Sequence, residues 1–350
     1  MQEARVKADL AQASSAIRLH QTRAYWLRIL AAIAALIVIA VAINWGAHGA
    51  FLQPGNILRV LRQITYNCIM GVGETFVIIT AGIDLSIGSL ISLSGVVMAL
   101  FANALPLHGF ALIAATLIVG LSVGALAGFV NAVPVVKLNL PPFITTLAMM
   151  QVALGLSFMV SHGRPVPLQS TDFQNTGFGV LLGGITGAMH LPGIPVPVIW
   201  MIVIIVAGSV LLMRTPFGRY VFALGGNEEA ARLAGISVRR VKTMVYVISG
   251  MCAATVGFLY MALFSSGSPQ TGTGDEMLEA IAAVVVGGTS LMGGRGTIVG
   301  TFFGALLIGL LYNAMNLLSI ESYLQKVVLG AVILLAVVLD ELRKRYLRRT

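Results

Sequence analysis

The chain has 350 residues, of which 57% are hydrophobic and only 10% charged, and its mean hydropathy is +0.93. A soluble globular domain averages about 25% charged residues, so this composition excludes a soluble enzyme and indicates a protein that crosses a membrane several times. The net charge of +9 would suit a nucleic-acid-binding protein, but the basic residues cluster at the ends and in short loops, as the positive-inside rule requires, so no nucleic-acid partner is expected.

In chain order, apolar runs near the length of a spanning helix, roughly 20 residues, predict about ten transmembrane helices. We therefore expect an all-α polytopic membrane protein with both termini in the cytoplasm. With that orientation, all the basic residues lie on the cytoplasmic side except Arg59, Arg62, Arg164 and Lys326. The predicted spans lie near 27–45, 57–80, 85–104, 109–133, 143–160, 195–213, 243–264, 277–291, 297–315 and 323–340.

The domain organisation follows from these spans. Residues 1–26 are predicted to form a cytoplasmic tail, 27–340 one transmembrane domain and 341–350 a basic cytoplasmic tail. The first apolar run has no evident cleavage site and is interpreted as a retained anchor. The domain includes an outer loop, 161–194, and a polar cytoplasmic loop, 214–242.

Four polar residues in or beside the apolar runs are candidates for a translocation path or gate. Glu74 lies inside an apolar run, where a carboxylate costs roughly 2.5–3.5 kcal/mol unless it faces protein or water. It is either a pathway residue or a hydrogen-bonded side chain between helices. Asp84 stands where one helix stops and the next starts, and an N-cap role in a structural turn is favoured. Asn67 and Glu279 complete the set, and Glu279 either stabilises a helix N-terminus, with Asp275 and Glu276, or gates the outer mouth.

Glycine marks helix packing and helix breaks. Gly120, Gly124 and Gly128 line one helix face at four-residue spacing, which allows a neighbouring backbone to approach closely. Two interruptions share the pattern G-x-x-L-x-x-G, at 82–88 and 288–294, and paired interruptions of this kind can mark an internal repeat and a transport path.

No catalytic or metal site is visible in the sequence. The five histidines lack metal-ligand spacing, and no phosphate-binding G-x-x-x-x-G-K-[ST] loop occurs. Neither a metal nor another cofactor is therefore expected on this chain, and any ATP chemistry must come from another protein.

The loop 214–242 predicts a short helix that is presented to a soluble partner. Asn227 can cap its start, Glu228 and Glu229 place negative charge in its first turn, and Gly235 can end it in a left-handed conformation.

The sequence from Glu229 to Gly235, EAARLAG, resembles the E-A-A-x-x-x-G signature of permease subunits of bacterial ATP-binding cassette importers. Further blocks, in the same order, resemble the ribose, xylose and arabinose type of these permeases: AGIDLSIGS at 81–89, PFITTL at 142–147, GRP at 163–165, Gly218-Arg219 with 226–235, AIAAVVVGGTSL at 280–291 and GGRG at 293–296.

This resemblance implies a type II-like importer bundle in the bacterial inner membrane, surrounded by lipid. Its implied partners are ABC ATPase subunits carrying ATP and Mg²⁺, a periplasmic sugar-binding protein, and a second permease, either identical or a paralogue. It also implies that the helix from Asn227 to Ala234 couples to the ATPase. Glu228, Glu229 and Arg232 would then make polar contacts, while Ala230, Ala231 and Leu233 form the close-packed face.

Several functions stay open at this point. The same machinery could carry another small solute, such as a nucleoside, a branched-chain amino acid or a sugar-derived signal. An ion-coupled secondary transporter would use Glu74 as its ion site. A membrane enzyme or scaffold is disfavoured by the lack of a nucleophile, base or metal cluster.

Overall fold

A computed structural model describes Gly49, residues 51–174, 180–181 and 193–349. The predicted N-terminal tail and the first predicted span, 27–45, lie outside the described residues. The chain divides into two compact units, 1–53 and 54–350, and the architecture below is that of the second.

Eleven helices and four two-residue strands are present among the described residues. The helices are α1 Pro54–Ile79, α2 Ile87–Ala104, α3 Gly109–Lys137, α4 Pro142–Val160, α5 Val196–Arg214, α6 Pro216–Gly226, α7 Glu228–Leu233, α8 Val238–Phe264, α9 Glu276–Val286, α10 Ile298–Leu317 and α11 Ser322–Arg349. The strands are β1 Val166–Pro167, β2 Val180–Leu181, β3 Ile194–Pro195 and β4 Ser266–Gly267, with β1 antiparallel to β4 and β2 to β3.

The prediction of a polytopic helical membrane protein is confirmed in this coarser form. Six described helices are long and apolar enough to cross a membrane: α2, α3, α4, α5, α8 and α10. The predicted eighth span is too short, because α9 has 11 residues and is only about 16 Å long. Helix α11 contains a shorter apolar helical segment, Ser322–Val338, among the residues whose side chains are described.

Helix α1 is central in the bundle although it is not among those six. It packs against α5, α8, α9 and α10, and every residue from 64 to 80 is buried. Protein instead of lipid therefore surrounds its polar side chains, which lipid would not solvate.

Helices α3 and α8 pack backbone to backbone through the glycines that the sequence singled out. A methyl group on Gly124 would fall on the carbonyl oxygen of Gly250, and one on Gly128 on that of Tyr246. On the same face, Gly120 accommodates the side chain of Met98 from α2. The predicted packing role of this glycine stripe is confirmed.

The ends of α2, α3, α4 and α8 meet at the end of the bundle away from α7. Besides the β1–β4 pair, the Asn103 side chain donates to Pro167 O (2.8 Å) and accepts from the Gln169 amide (3.0 Å). The Asp172 carboxylate accepts from the Ser170 hydroxyl and the Gly109 amide, and these bonds lower the pKa of Asp172 from its ordinary value. The loop after α4 is thus tied to its neighbours by backbone and side-chain hydrogen bonds.

The two glycine-rich interruptions lie against each other. The Gly294 amide donates to Ile79 O at 2.8 Å, and Gly293 approaches the Ala81 amide closely. Gly293 and Gly294 both have positive φ, which glycine adopts without strain. The turn after α1 is therefore braced by the turn before α10.

Candidate translocation path and coupling helix

Local hydrogen bonds define both ends of α7, as the sequence predicts. At its start, Asn227 Oδ1 accepts from the Ala230 amide at 2.9 Å. At its end, Gly235 has φ +82°, its amide donates to Arg232 O, and the Ile236 amide donates to Ala231 O, both at 3.0 Å. These two bonds form a Schellman motif, so a six-residue helix is held at both termini.

The faces of α7 differ from the expectation that its whole apolar side meets a partner. Ala231 is buried against its own chain, at 4% exposure. It therefore packs α7 onto the rest of the protein and does not belong to the surface that a partner could contact. Leu233 is 85% exposed, so its side chain lies on the outer face of α7. Glu229, Ala230 and Arg232 are also exposed.

Glu228 also differs from the expectation of a free polar contact. Its Oε2 lies 2.7 Å from Lys242 Nζ on α8, and both side chains are at least partly sheltered from solvent. The carboxylate is thus already paired within the chain. Next to this pair lies a cavity of about 170 Å³ lined by Val135, Val136, Asn139, Glu228, Arg232, Val238, Arg239 and Lys242.

Asp84 is the centre of a buried hydrogen-bond network, which corrects its interpretation as a helix N-cap. Helix α2 begins at Ile87, and Asp84 Oδ1 instead accepts from the amide (3.0 Å) and hydroxyl (2.6 Å) of Ser86. Asn131 Nδ2 donates to the same oxygen at 3.3 Å, and Ser249 Oγ donates to Oδ2 at 2.8 Å. Asp84 therefore does fix a turn, and it also joins that turn to α3 and α8.

Sequence reasoning missed the partners of Asp84. Asn131 and Ser249 lie inside the apolar runs of α3 and α8, at 1% exposure each. The presence of a polar residue in an apolar span could have marked each of them as a candidate. Spacing along the chain, however, does not indicate which of these polar residues contact each other.

Glu74 contacts this network through the backbone. Its Oε1 accepts from the Asp84 amide at 3.1 Å, while its Oε2 has no hydrogen-bond partner in the described part of the chain. The side chain is fully buried. Glu74 therefore faces the protein interior and not lipid, as a carboxylate at this position must.

Asn67 and Glu279 form a second polar contact on α1. Asn67 Nδ2 donates to Glu279 Oε2 at 2.6 Å, and this bond joins α1 to α9. Since Asn67 and Glu74 are two helical turns apart, the two polar sites are separated by about 10 Å along the axis of α1. The structure thus groups the four candidate path residues into two pairs, Asn67 with Glu279 and Glu74 with Asp84.

Three aromatic rings stack beside the Asn67–Glu279 pair. Tyr66 and Tyr260 have ring centroids 4.3 Å apart at 17°, and Tyr260 and Phe264 are 5.7 Å apart at 15°. We call these three rings the aromatic ladder. It runs from Tyr66, which is 6% exposed, to Phe264, which is 60% exposed.

No group of three or more His, Cys, Asp or Glu side chains within the described ranges could hold a metal ion. The side chains that bond to the Asp84 carboxylate are those of Ser86, Asn131 and Ser249.

Comparison with known proteins places the chain among permeases. Residues 56–337 match a family described as "Branched-chain amino acid transport system / permease component". The chain is 42% identical to the ribose import permease protein RbsC of Escherichia coli K12 over 325 residues, covering 92% of this chain and 96% of that protein.

Two further relatives cover most of their length. Identity is 44% to the ribose import permease protein of Bacillus subtilis 168 over 307 residues, covering 87% and 89% of the two chains. It is 34% to the xylose transport system permease protein XylH of Escherichia coli K12, in an alignment that covers 91% of this chain and 93% of that protein. No solved structure matches the chain.

Proposed function

The chain belongs to this family of transport-system permease components, and we propose that it carries a pentose across the bacterial inner membrane as part of an ATP-binding cassette importer. The expectation of a transport subunit rather than an enzyme is confirmed by this membership. The similarity to three permeases over about nine-tenths of the chain is the observation that carries the proposal.

The cargo is inferred from the relatives. The two named for ribose and the one named for xylose are all permeases of five-carbon sugars, although the family description refers to branched-chain amino acids. A pentose presents hydroxyl groups and no net charge. The passage of a pentose therefore needs polar side chains inside the bundle but no charged residue to neutralise the substrate.

The α7 surface supports coupling to a separate ATPase. A helix capped at both ends, supported by Ala231 and carrying an exposed Leu233, presents an apolar contact on a rigid base. An ATPase that binds ATP and Mg²⁺ would close on this surface, and α7 would pass the movement to α8 through the Glu228–Lys242 ion pair. The work comes from the difference in contacts between the two states, because a ligand shifts an equilibrium only by its differential affinity.

The polar pairs on α1 suit an alternating-access path. The Asn67–Glu279 bond joins α1 to α9 and would act as a gate, since its atoms are only partly buried. The Glu74–Asp84 network lies deeper and holds the α1–α2 turn against α3 and α8. A periplasmic binding protein would deliver the sugar, and a second permease copy or paralogue would form the other wall.

Reconstitution of the chain with its ATPase and binding protein in vesicles tests this function. We expect ATP-dependent uptake of labelled ribose or xylose and sugar-stimulated ATP hydrolysis, with neither activity from the chain alone. Uptake by the lone chain, driven by an ion gradient without ATP, would identify an ion-coupled transporter instead. ATP-dependent uptake of leucine or a nucleoside, without uptake of a pentose, would support an ATP-driven importer but reject a pentose as its substrate.

A further inference from the structure

We propose that the aromatic ladder and the unpartnered polar atoms around it form a low-affinity monosaccharide site within the permease itself. This inference rests on the proposed function and specifies where that function recognises the sugar. It concerns Arg62 and Tyr66 on α1, Tyr260 and Phe264 on α8, and Glu276 on α9.

Unpartnered buried polar atoms are the first observation. Nine buried side-chain nitrogen or oxygen atoms among the described residues make no hydrogen bond. Three of these atoms are Arg62 Nε, Tyr66 Oη and Glu276 Oε2. Arg62 lies one helical turn before Tyr66 on α1, and Glu276 lies one turn before Glu279 on α9. The Asn67–Glu279 hydrogen bond joins these two parts of α1 and α9. Leaving a buried polar atom unpaired is unfavourable, so several of them close together indicate a site that a ligand or water completes.

The chemistry of these atoms fits sugar hydroxyls. The Arg62 Nε–H donates and the Glu276 Oε2 atom offers an acceptor, while the Tyr66 hydroxyl can do either. A hydroxyl group is both a donor and an acceptor, so neighbouring hydroxyls on one sugar ring can satisfy all three. Asn67 and Glu279, next to them on α1 and α9, add an amide and a second carboxylate.

The stacked rings supply the apolar half of such a site. One face of a pyranose or furanose ring carries mainly C–H groups, which pack on an aromatic face and are attracted by its negative quadrupole. Phe264 offers an exposed ring at one end of the ladder, and Tyr66 is covered at the other. The sugar would meet Phe264 first and reach the three polar atoms when the Tyr66 and Tyr260 rings separate.

Protein stability and sugar affinity should respond differently to one substitution if these residues form a ligand site and not a purely structural cluster. Replacement of Tyr66 by Phe keeps the stacked ring and removes only a buried hydroxyl that has no partner. The sugar-free protein should therefore be as stable as before or more stable, while sugar binding becomes weaker. A merely structural hydroxyl would leave sugar binding unchanged.

Saturation-transfer NMR on the purified chain in nanodiscs, without ATPase or binding protein, tests this. Ribose, xylose and arabinose are the probes, with leucine as a zwitterionic comparison. We expect transfer to at least one pentose at millimolar concentration. Tyr66→Phe should reduce the affinity at least about threefold and Tyr260→Leu at least about tenfold. Phe110→Leu is the matched control, because Phe110 is 83% exposed on α3 and outside the ladder, and its affinity should be unchanged.

The proposal is overturned if no pentose shows transfer, if leucine alone does, or if Tyr66→Phe binds sugar as tightly as the unchanged chain. Should Tyr260→Leu fail to fold, the result for Tyr66→Phe still decides between the two outcomes. Pentose uptake by the assembled transporter, combined with a negative NMR result, would reject the proposed sugar site but still support the proposed function. Absence of pentose uptake by the assembled transporter would reject the proposed function itself.

Discussion

Glu228 on α7 and Lys242 on α8 form an ion pair, with 2.7 Å between Oε2 and Nζ. It is the side-chain link from the short exposed helix to a helix that crosses the bundle. A partly exposed pair of this kind contributes about 1 kcal/mol or less to stability, so we propose that its role is to couple movement of α7 to α8.

Removal of this pair should weaken coupling more than folding. In Lys242→Gln we expect sugar-stimulated ATP hydrolysis by the assembled transporter to fall about fivefold, equivalent to ~1 kcal/mol, with little change in melting temperature. The charge swap Glu228→Lys with Lys242→Glu should recover part of the loss. An unchanged stimulation in Lys242→Gln would show that force reaches α8 by another route.

Leu233 is expected to anchor the ATPase. Leu233→Asp places a charge on the apolar contact and should weaken association of the permease with its ATPase at least about tenfold, as measured by pull-down or light scattering. The chain should still insert and melt normally, because Leu233 is 85% exposed. Leu107→Asp, at the opposite end of the bundle, is the control. Equal ATPase binding by both variants would exclude this surface.

Alanine should destabilise the protein at a glycine in the α3–α8 contact but not at a glycine with free space around it. Gly124→Ala should lower the free energy of unfolding by about 2–3 kcal/mol, because the added methyl meets the Gly250 carbonyl. Gly155→Ala is the matched control, since nothing lies within 4 Å of a methyl group there and the stability should be unchanged or slightly higher. Thermal denaturation in nanodiscs measures both, and equal effects would contradict the packing.

Asp84 should tolerate Asn far better than Ala. Asn keeps an acceptor for the Ser86 amide, and the Ser249 hydroxyl can rotate to accept from the new amide group. Ala leaves several buried donors unpaired and should cost about 2–4 kcal/mol. Uptake by the assembled transporter should therefore persist in Asp84→Asn. A folded but inactive Asp84→Asn would mean that the charge itself takes part in transport.

Glu74→Gln separates a supporting role from an ion-binding role. Gln retains an oxygen that can accept from the Asp84 amide and removes only the ionisable group, so uptake should stay within about twofold of the unchanged transporter. Glu321→Gln, at an exposed position before α11, is the control. Loss of uptake in Glu74→Gln with a normal melting temperature would instead favour ion coupling through Glu74.

The sequence predicted local features of the site well and long-range features poorly. Asn227 and Gly235 cap α7 as expected, because capping depends on bonds within a few residues. The contact between Asn67 and Glu279 joins residues 212 positions apart. Nothing in their spacing indicates this contact, although the polarity of both residues in or beside apolar runs makes each a candidate path residue.

Composition and periodicity by themselves determined that this chain is a helical membrane protein, where most of its spans lie, and which loop offers a capped helix, because hydrophobic length and capping are local properties. Only the tertiary structure decided that Ala231 and Glu228 face their own chain, that α1 is sheltered by its neighbours, and that Asp84 bonds to α3 and α8. Those outcomes depend on which helices pack together, and that is set by close contacts such as the one between Gly124 and Gly250.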